Sequence, residues 1–327
     1  MTLIELTVSL AILALMVLAF GQVLTSSQKV VAGSQGVMDS SAAAAAITQQ
    51  LRDDLACQTP EGFLAIIAPV DGDPVTATRP GLLLASIRPL VSRYPPAPPA
   101  TEPVRANAAL IWYGALSDTA PRRNDRPLLA RQAWLLNGML SAPPLPNSDI
   151  FPDPMTGGGM TLARLGRLRR DIVRTWVLPT LNNTGGVSTS PMLGAAGTDR
   201  LWEVMAEDLR EMSVTWSALD PTGQPFIDPA TGQIRWFGYI ARLDNSVSPP
   251  VWQVTHAPYA AWSANNFGPG SGIESSGPGG CYIAFWDREI LTDQWPIAVR
   301  IRFELGVRGA ESGQMYEVIC PVRRPLR

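Results

Sequence analysis

The chain offers few groups able to do chemistry, and the most unusual of them is a carboxylate in an apolar block. Glu5 lies in MTLIELTVSLAILALMVLAFGQVLTSS, and the next charged residue is Lys29. A carboxylate in a membrane helix costs about 2.5 to 3.5 kcal/mol at mid-bilayer, less near an end, and such groups usually have a functional partner. Lys29 cannot serve, because it stands roughly 36 Å further along a helix axis. The remaining cation is a chain-terminal amine, most naturally that of Met1 in a neighbouring copy. The alternative is a carboxylate resting among headgroups at the helix start, where the macrodipole also favours negative charge. The residues alone leave both readings open.

Other reactive groups are sparse. There is one histidine, His256, and nearly all basic residues are arginine, which leaves little material for acid–base work near neutral pH. No phosphate-binding loop and no zinc-type spacing of Cys and His occurs. Asp153, Asp220, Asp228 and Asp244 include candidate calcium ligands, but the first three precede proline in turns that explain them. With 26 basic and 28 acidic residues the net charge is −2, so no global field draws nucleic acid. The expectation is a chain that is not an enzyme and holds no metal or cofactor.

The elements that must position Glu5 follow from where the helix breakers fall. Of 30 prolines and 28 glycines, no proline occurs before Pro60. Residues 1–58 therefore read as one long helix, and 59–327 as a β-rich head. Residues 6–24 carry no charge and span roughly 28 Å as a helix, enough to cross a bilayer. No basic region precedes this run and no small-residue cleavage site follows it, so it is expected to be retained. Leu3, Ile4, Leu6, Val8, Leu10, Ile12, Leu13, Leu15, Val17, Leu18 and Phe20 supply the membrane or assembly-core part. Small residues (Ser9, Ala11, Ala14, Ala19, Gly21) permit close helix approach or reflect ordinary membrane composition.

From residue 25 to 58 the helix turns amphipathic. Ile47, Leu51 and Leu55 form a stripe expected to dock on the head, with Arg52, Asp53 and Asp54 off it, solvated or paired locally. Gly21, Gly33 and Gly36 each cost about 1 kcal/mol in a helix interior. Any break is expected between Ala14 and Val23 or at Gly33–Gly36.

In the head, Val299 to Leu305 alternates apolar with charged residues, as a half-buried antiparallel strand does. Its predicted partner is Gln314 to Cys320, with Leu209 to Trp216 and Ile234 to Leu243 as further strands. The expected register turns Val299, Ile301, Phe303 and Leu305 toward the helix stripe, and Arg300, Arg302 and Glu304 away. Arg93 to Glu102 and Asn182 to Thr198 read as surface loops, with Asn182 a possible glycosylation acceptor. Trp252 and Trp262 serve either core packing or an adhesive surface.

Thr2-Leu3-Ile4-Glu5-Leu6 followed by the apolar run resembles the processed N-terminus of type IV pilins and type II secretion pseudopilins. In that family a basic leader is cut before a residue, often phenylalanine, that is then N-methylated. Met1 holds that position here. The motif covers residues 1 to about 25. The Trp-Pro-containing, arginine-alternating strand near the end, paired with an earlier strand, is similar to the larger J-type minor pseudopilins.

The resemblance implies an α+β, type IV pilin-like fold, in which a long N-terminal helix packs on an antiparallel head with long loop insertions. It implies an inner-membrane subunit matured by a prepilin peptidase and drawn by an assembly platform into a helical polymer, alone or with other pilins. The product is an extracellular filament or a periplasmic pseudopilus. Glu5 would neutralise the methylated amine of Met1 on an adjacent subunit and set axial register. A minor tip or initiator subunit and a membrane-anchored adhesin are the alternatives, and a simple anchor has no use for Glu5.

Cys57, Cys281 and Cys320 allow three single pairings. Cys281 with Cys320 is expected, since each ends a predicted strand and the family often carries a C-terminal disulfide loop. A bond from Cys57 and free thiols remain open.

Overall fold

A computed structural model describes residues 3–69, 81–92, 103–116, 128–138, 149, 151, 159–165, 203–219, 223–228, 231–244, 251–255, 281–287, 295–307 and 313–324. Helix α1 (Leu3–Ala56) runs 54 residues without interruption, about 81 Å at 1.5 Å per residue. The helix is unbroken at both places where a break would fall, because the hydrogen-bond ladder of the flanking turns outweighs a local glycine cost of about 1 kcal/mol. The helix closes where the Cys57 amide reaches the carbonyls of Asp53 and Asp54, both at 3.2 Å.

Eleven strands follow among the described residues: β1 (Phe63–Pro69), β2 (Gly81–Val91), β3 (Arg105–Leu116), β4 (Leu128–Leu135), β5 (Glu203–Ala206), β6 (Leu209–Ser217), β7 (Phe237–Asp244), β8 (Val251–Thr255), β9 (Cys281–Asp287), β10 (Ala298–Gly306) and β11 (Gly313–Pro321). They form two antiparallel sheets, one ordered β5-β4-β3-β2-β1-β9 and the other β11-β10-β6-β7-β8. The chain is therefore α+β, a long helix with antiparallel sheets.

The five-stranded sheet has the expected register. β10 alternates buried and half-buried residues, with Val299, Ile301, Phe303 and Leu305 inward. β11 pairs with it from Ala298↔Pro321 to Gly306↔Gly313. β7 begins at Phe237 rather than Ile234, because Ile234 bridges Ile227 in the preceding turn. Gly238 on β7 has φ +125°, and a Cβ there would lie 2.8 Å from the Val214 carbonyl oxygen, so no other residue fits the close approach of β6.

The six-stranded sheet has no alternating pattern, and its packing explains why. Leu82 and Leu84 of β2, Ile111 and Tyr113 of β3, and Leu64 and Ile66 of β1 join the main core. The alternate residues Leu83, Ala85, Leu110, Trp112, Phe63 and Ala65 are buried as well. Phe151, Met160 and Leu165 are buried too. The Trp134 and Phe151 rings meet edge to face at 6.4 Å, and Leu135 and Phe151 are tied by the Phe151 amide at 2.9 Å. A strand covered on both faces reads as a continuous apolar run.

The second half of α1 contacts β11, β5 and β2. Ile47, Leu51 and Leu55 are fully buried in one cluster with residues of both sheets, including Val299, Ile301, Phe303 and Leu305. The helix stripe thus completes a core that two sheets share.

The expected Cys281–Cys320 bond is not formed. Cys320 is a free, buried thiol on β11, in the five-stranded sheet, whereas Cys281 opens β9, at the edge of the other sheet. Burial among apolar neighbours pushes the Cys320 thiol pKa up, against a lowering by the nearby Arg52. Cys57 is likewise free.

Candidate functional site

The candidate site is α1 itself, in which one half is offered to the surroundings and the other is locked into the head. The described large apolar side chains from Ile4 to Leu24 are all exposed, and Ile4 is 73% so. The helix is long and apolar enough to cross a membrane, and its apolar segment is not buried within the molecule. Burying one such Leu or Val side chain is worth about 1.5 to 3 kcal/mol, so a free arm of this kind in water is strongly disfavoured. Hydroxyls on the arm bond internally: Thr7 Oγ1 donates to the Ile4 carbonyl at 2.9 Å, and Thr25 Oγ1 to that of Gly21 at 2.8 Å. That leaves them suited to a medium without water. Glu5 lies in the first turns of α1, while Met1, Asn182, His256 and the loops 93–102 and 182–198 lie outside the described residues.

The arm enters the head at a neck of small residues. Gly36 and Ser40 are buried there, where β11 comes against the helix. The Ser40 and Ser41 hydroxyls lie 3.1 and 3.4 Å from the Tyr316 hydroxyl. Tyr316 stacks on Phe303 at 5.6 Å.

The lock is a buried carboxylate. Asp54 is wholly buried, which corrects the expectation of a solvated or locally paired residue. Arg131 of β4 donates from Nε to Asp54 Oδ2 at 2.7 Å and from Nη2 to Oδ1 at 3.3 Å. Tyr113 of β3 donates to Oδ2, and Arg88 of β2 pairs with Oδ1. Gln50, one turn back on α1, donates to Oδ1 at 3.1 Å. Arg131 reaches on to Glu203 of β5 at 2.7 Å. Four charges, two of each sign, together with the Tyr113 hydroxyl thus join α1 to four adjacent strands of one sheet.

The electrostatics follow from this pairing. Burial would lower the Arg131 pKa, but its hydrogen bond to Asp54 and the Asp54 charge hold it above the ordinary value. The Tyr113 pKa is driven well up, first by burial and then by Asp54, so its hydroxyl stays a donor. No lone pair of the carboxylate is left to water.

Asp54 was legible at a closer look, because it stands three residues after Leu51 and so falls on the stripe, not beside it. Its partners were not legible, since they lie 34, 59 and 77 residues along the chain. Asp228, a candidate calcium ligand, sits in a turn, its carbonyl accepting from the Gly232 amide at 2.8 Å. Among the described residues no group of three or more His, Cys, Asp or Glu is placed to hold a metal.

No family model, curated protein or solved structure matches the chain.

Proposed function

We propose that the protein is a structural subunit of a type IV-like filament, a pilus or pseudopilus, held in the inner membrane before assembly and polymerised through its N-terminal helix. The observation that carries this is α1 as a single rod, apolar and exposed over its first half and fixed into the head over its second. A hydrophobic anchor alone needs no rigid continuation. A subunit that must transmit position from a buried helix bundle to an outer head does. The Thr-Leu-Ile-Glu start adds support, because Glu5 is costly in a membrane and useful as the partner of a neighbouring terminal amine.

In this reading the Met1 amine of one subunit pairs with Glu5 of the next. A buried pair adds little net stability over an apolar isostere, but leaving one charge unpaired costs about 3 to 5 kcal/mol, which penalises every wrong stagger. Glu5→Val is therefore expected to leave membrane insertion intact or improved and to reduce filament yield sharply, with Glu5→Gln between. The measurement is sheared filament protein against membrane-fraction protein for the three chains. Equal filament yields would remove the register role, and stable membrane protein with no filament from any of them would favour a membrane-anchored adhesin.

A further inference from the structure

From the end of the apolar span onward, α1 carries a seven-residue repeat. Residues 23–29, 30–36 and 37–43 read VLTSSQK, VVAGSQG and VMDSSAA. The first position is valine in all three, the second is Leu24, Val31 or Met38, and the fifth is Ser27, Ser34 or Ser41. A seven-residue period drifts only about 20° per repeat on a straight helix, so these nine residues hold one face. Gly36 and Ser40, which are buried against the head, lie on another face, about 160° and about 120° round from Ser34. Val23, Leu24, Val30, Val31, Val37 and Met38 are all exposed, Val30 to 66% and Met38 to 70%.

We propose that this face is a helix–helix seam for a second copy of the same chain, running parallel. Leu24, Val31 and Met38 then occupy the a positions of a heptad, flanked by the three valines, with Ser27 and Ser34 at d and Ser41, where the seam ends, turned to the Tyr316 hydroxyl of the head. Serine at d lets the two backbones approach closely, and its hydroxyl can bond back to its own helix. Lys29 and Asp39, the charged residues between Glu5 and Arg52, stand off the seam, so no like-charge contact opposes the pairing of identical faces. Covering the six apolar side chains in both copies removes on the order of 1,000 Å², the scale of a specific interface. The period of seven, shorter than two full turns, gives a left-handed crossing. It also permits axial offsets of whole repeats only, about 10.5 Å each, because other offsets set valine against the charged and polar faces.

The parallel orientation rests on the membrane-anchored assembly proposed above, whereas the repeat and its exposure do not. The test uses the full chain in its membrane, with single cysteines in the seam (Val31→Cys, Ser34→Cys, Met38→Cys) and off it (Lys29→Cys, Ala32→Cys, Asp39→Cys). All six positions are exposed, so the substitutions leave head packing alone, and the unsubstituted chain sets the background from its native thiols. Mild oxidation is expected to give dimer several-fold above the off-seam positions at 31, 34 and 38. In sheared fibres a Val31→Cys/Met38→Cys double variant is expected to cross-link between subunits, reporting an offset of one repeat. Equal dimer at all six positions, or a maximum at 29, 32 and 39, would overturn the seam. Fibres that form without the periodic pattern overturn the seam and keep the filament function, and the pattern in membranes without fibres does the reverse.

Discussion

The two halves of α1 share one backbone and opposite surroundings. The first half carries its carboxylate, Glu5, in an apolar run whose described side chains are exposed. The second holds Asp54 inside a cage of Arg131, Arg88 and Tyr113. A buried carboxylate is tolerable only where its counter-charges are already in place. Asp54 finds them within the chain. Glu5, on the proposed function, finds its own only in an assembly. One helix thus carries an internal problem solved by folding and an external one left for a partner.

The largest expected effect tests the internal half. Asp54→Ala leaves Arg131, itself only 5% exposed, buried without its main carboxylate, and should destabilise the head by about 3 to 5 kcal/mol. Chemical denaturation of the detergent-solubilised full chain, followed by tryptophan fluorescence, reads this directly. A loss under about 1 kcal/mol would mean that the cage does not fix the helix.

Tyr113→Phe should cost less, about 1 to 2 kcal/mol, because it removes one hydrogen bond to a charged group and leaves the ion pairs intact. It also sharpens the pH behaviour. The Tyr113 pKa is raised on folding, so its contribution is fully present below the ordinary tyrosine pKa and is lost as pH rises through the folded value. Alkaline loss of stability is expected for the native chain, and Tyr113→Phe should flatten it in a denaturation series at rising pH.

Gly33→Ala should stabilise the helix by up to about 1 kcal/mol, since nothing lies within 4 Å of the added methyl. A thermal shift upward in detergent checks it. A shift downward would show that the neck needs glycine for a neighbour to approach.

Leu15→Ala, on the exposed arm, should change head stability by no more than about 0.5 kcal/mol, although the same truncation at Leu51 removes a core side chain. If Leu15→Ala unfolded the head in the same denaturation assay, the division of α1 into two halves would fail.

The length of α1, its apolar run, the docking stripe and the β10–β11 pairing were all readable from the sequence. Each is set by local periodicity, 3.6 for Ile47, Leu51 and Leu55 and 2 for Val299 through Leu305, and by the absence of proline before Pro60. The six-stranded sheet was not readable, because burial on both faces erases the alternation in runs such as Gly81 to Ser86. The role of Asp54, the separation of Cys281 from Cys320 into different sheets, and the covering of Trp134 by Phe151 were decided by tertiary structure alone. Each turns on residues 17 to 77 positions apart, and the free energy of such a placement depends on what the rest of the chain brings beside it rather than on any pattern along the chain.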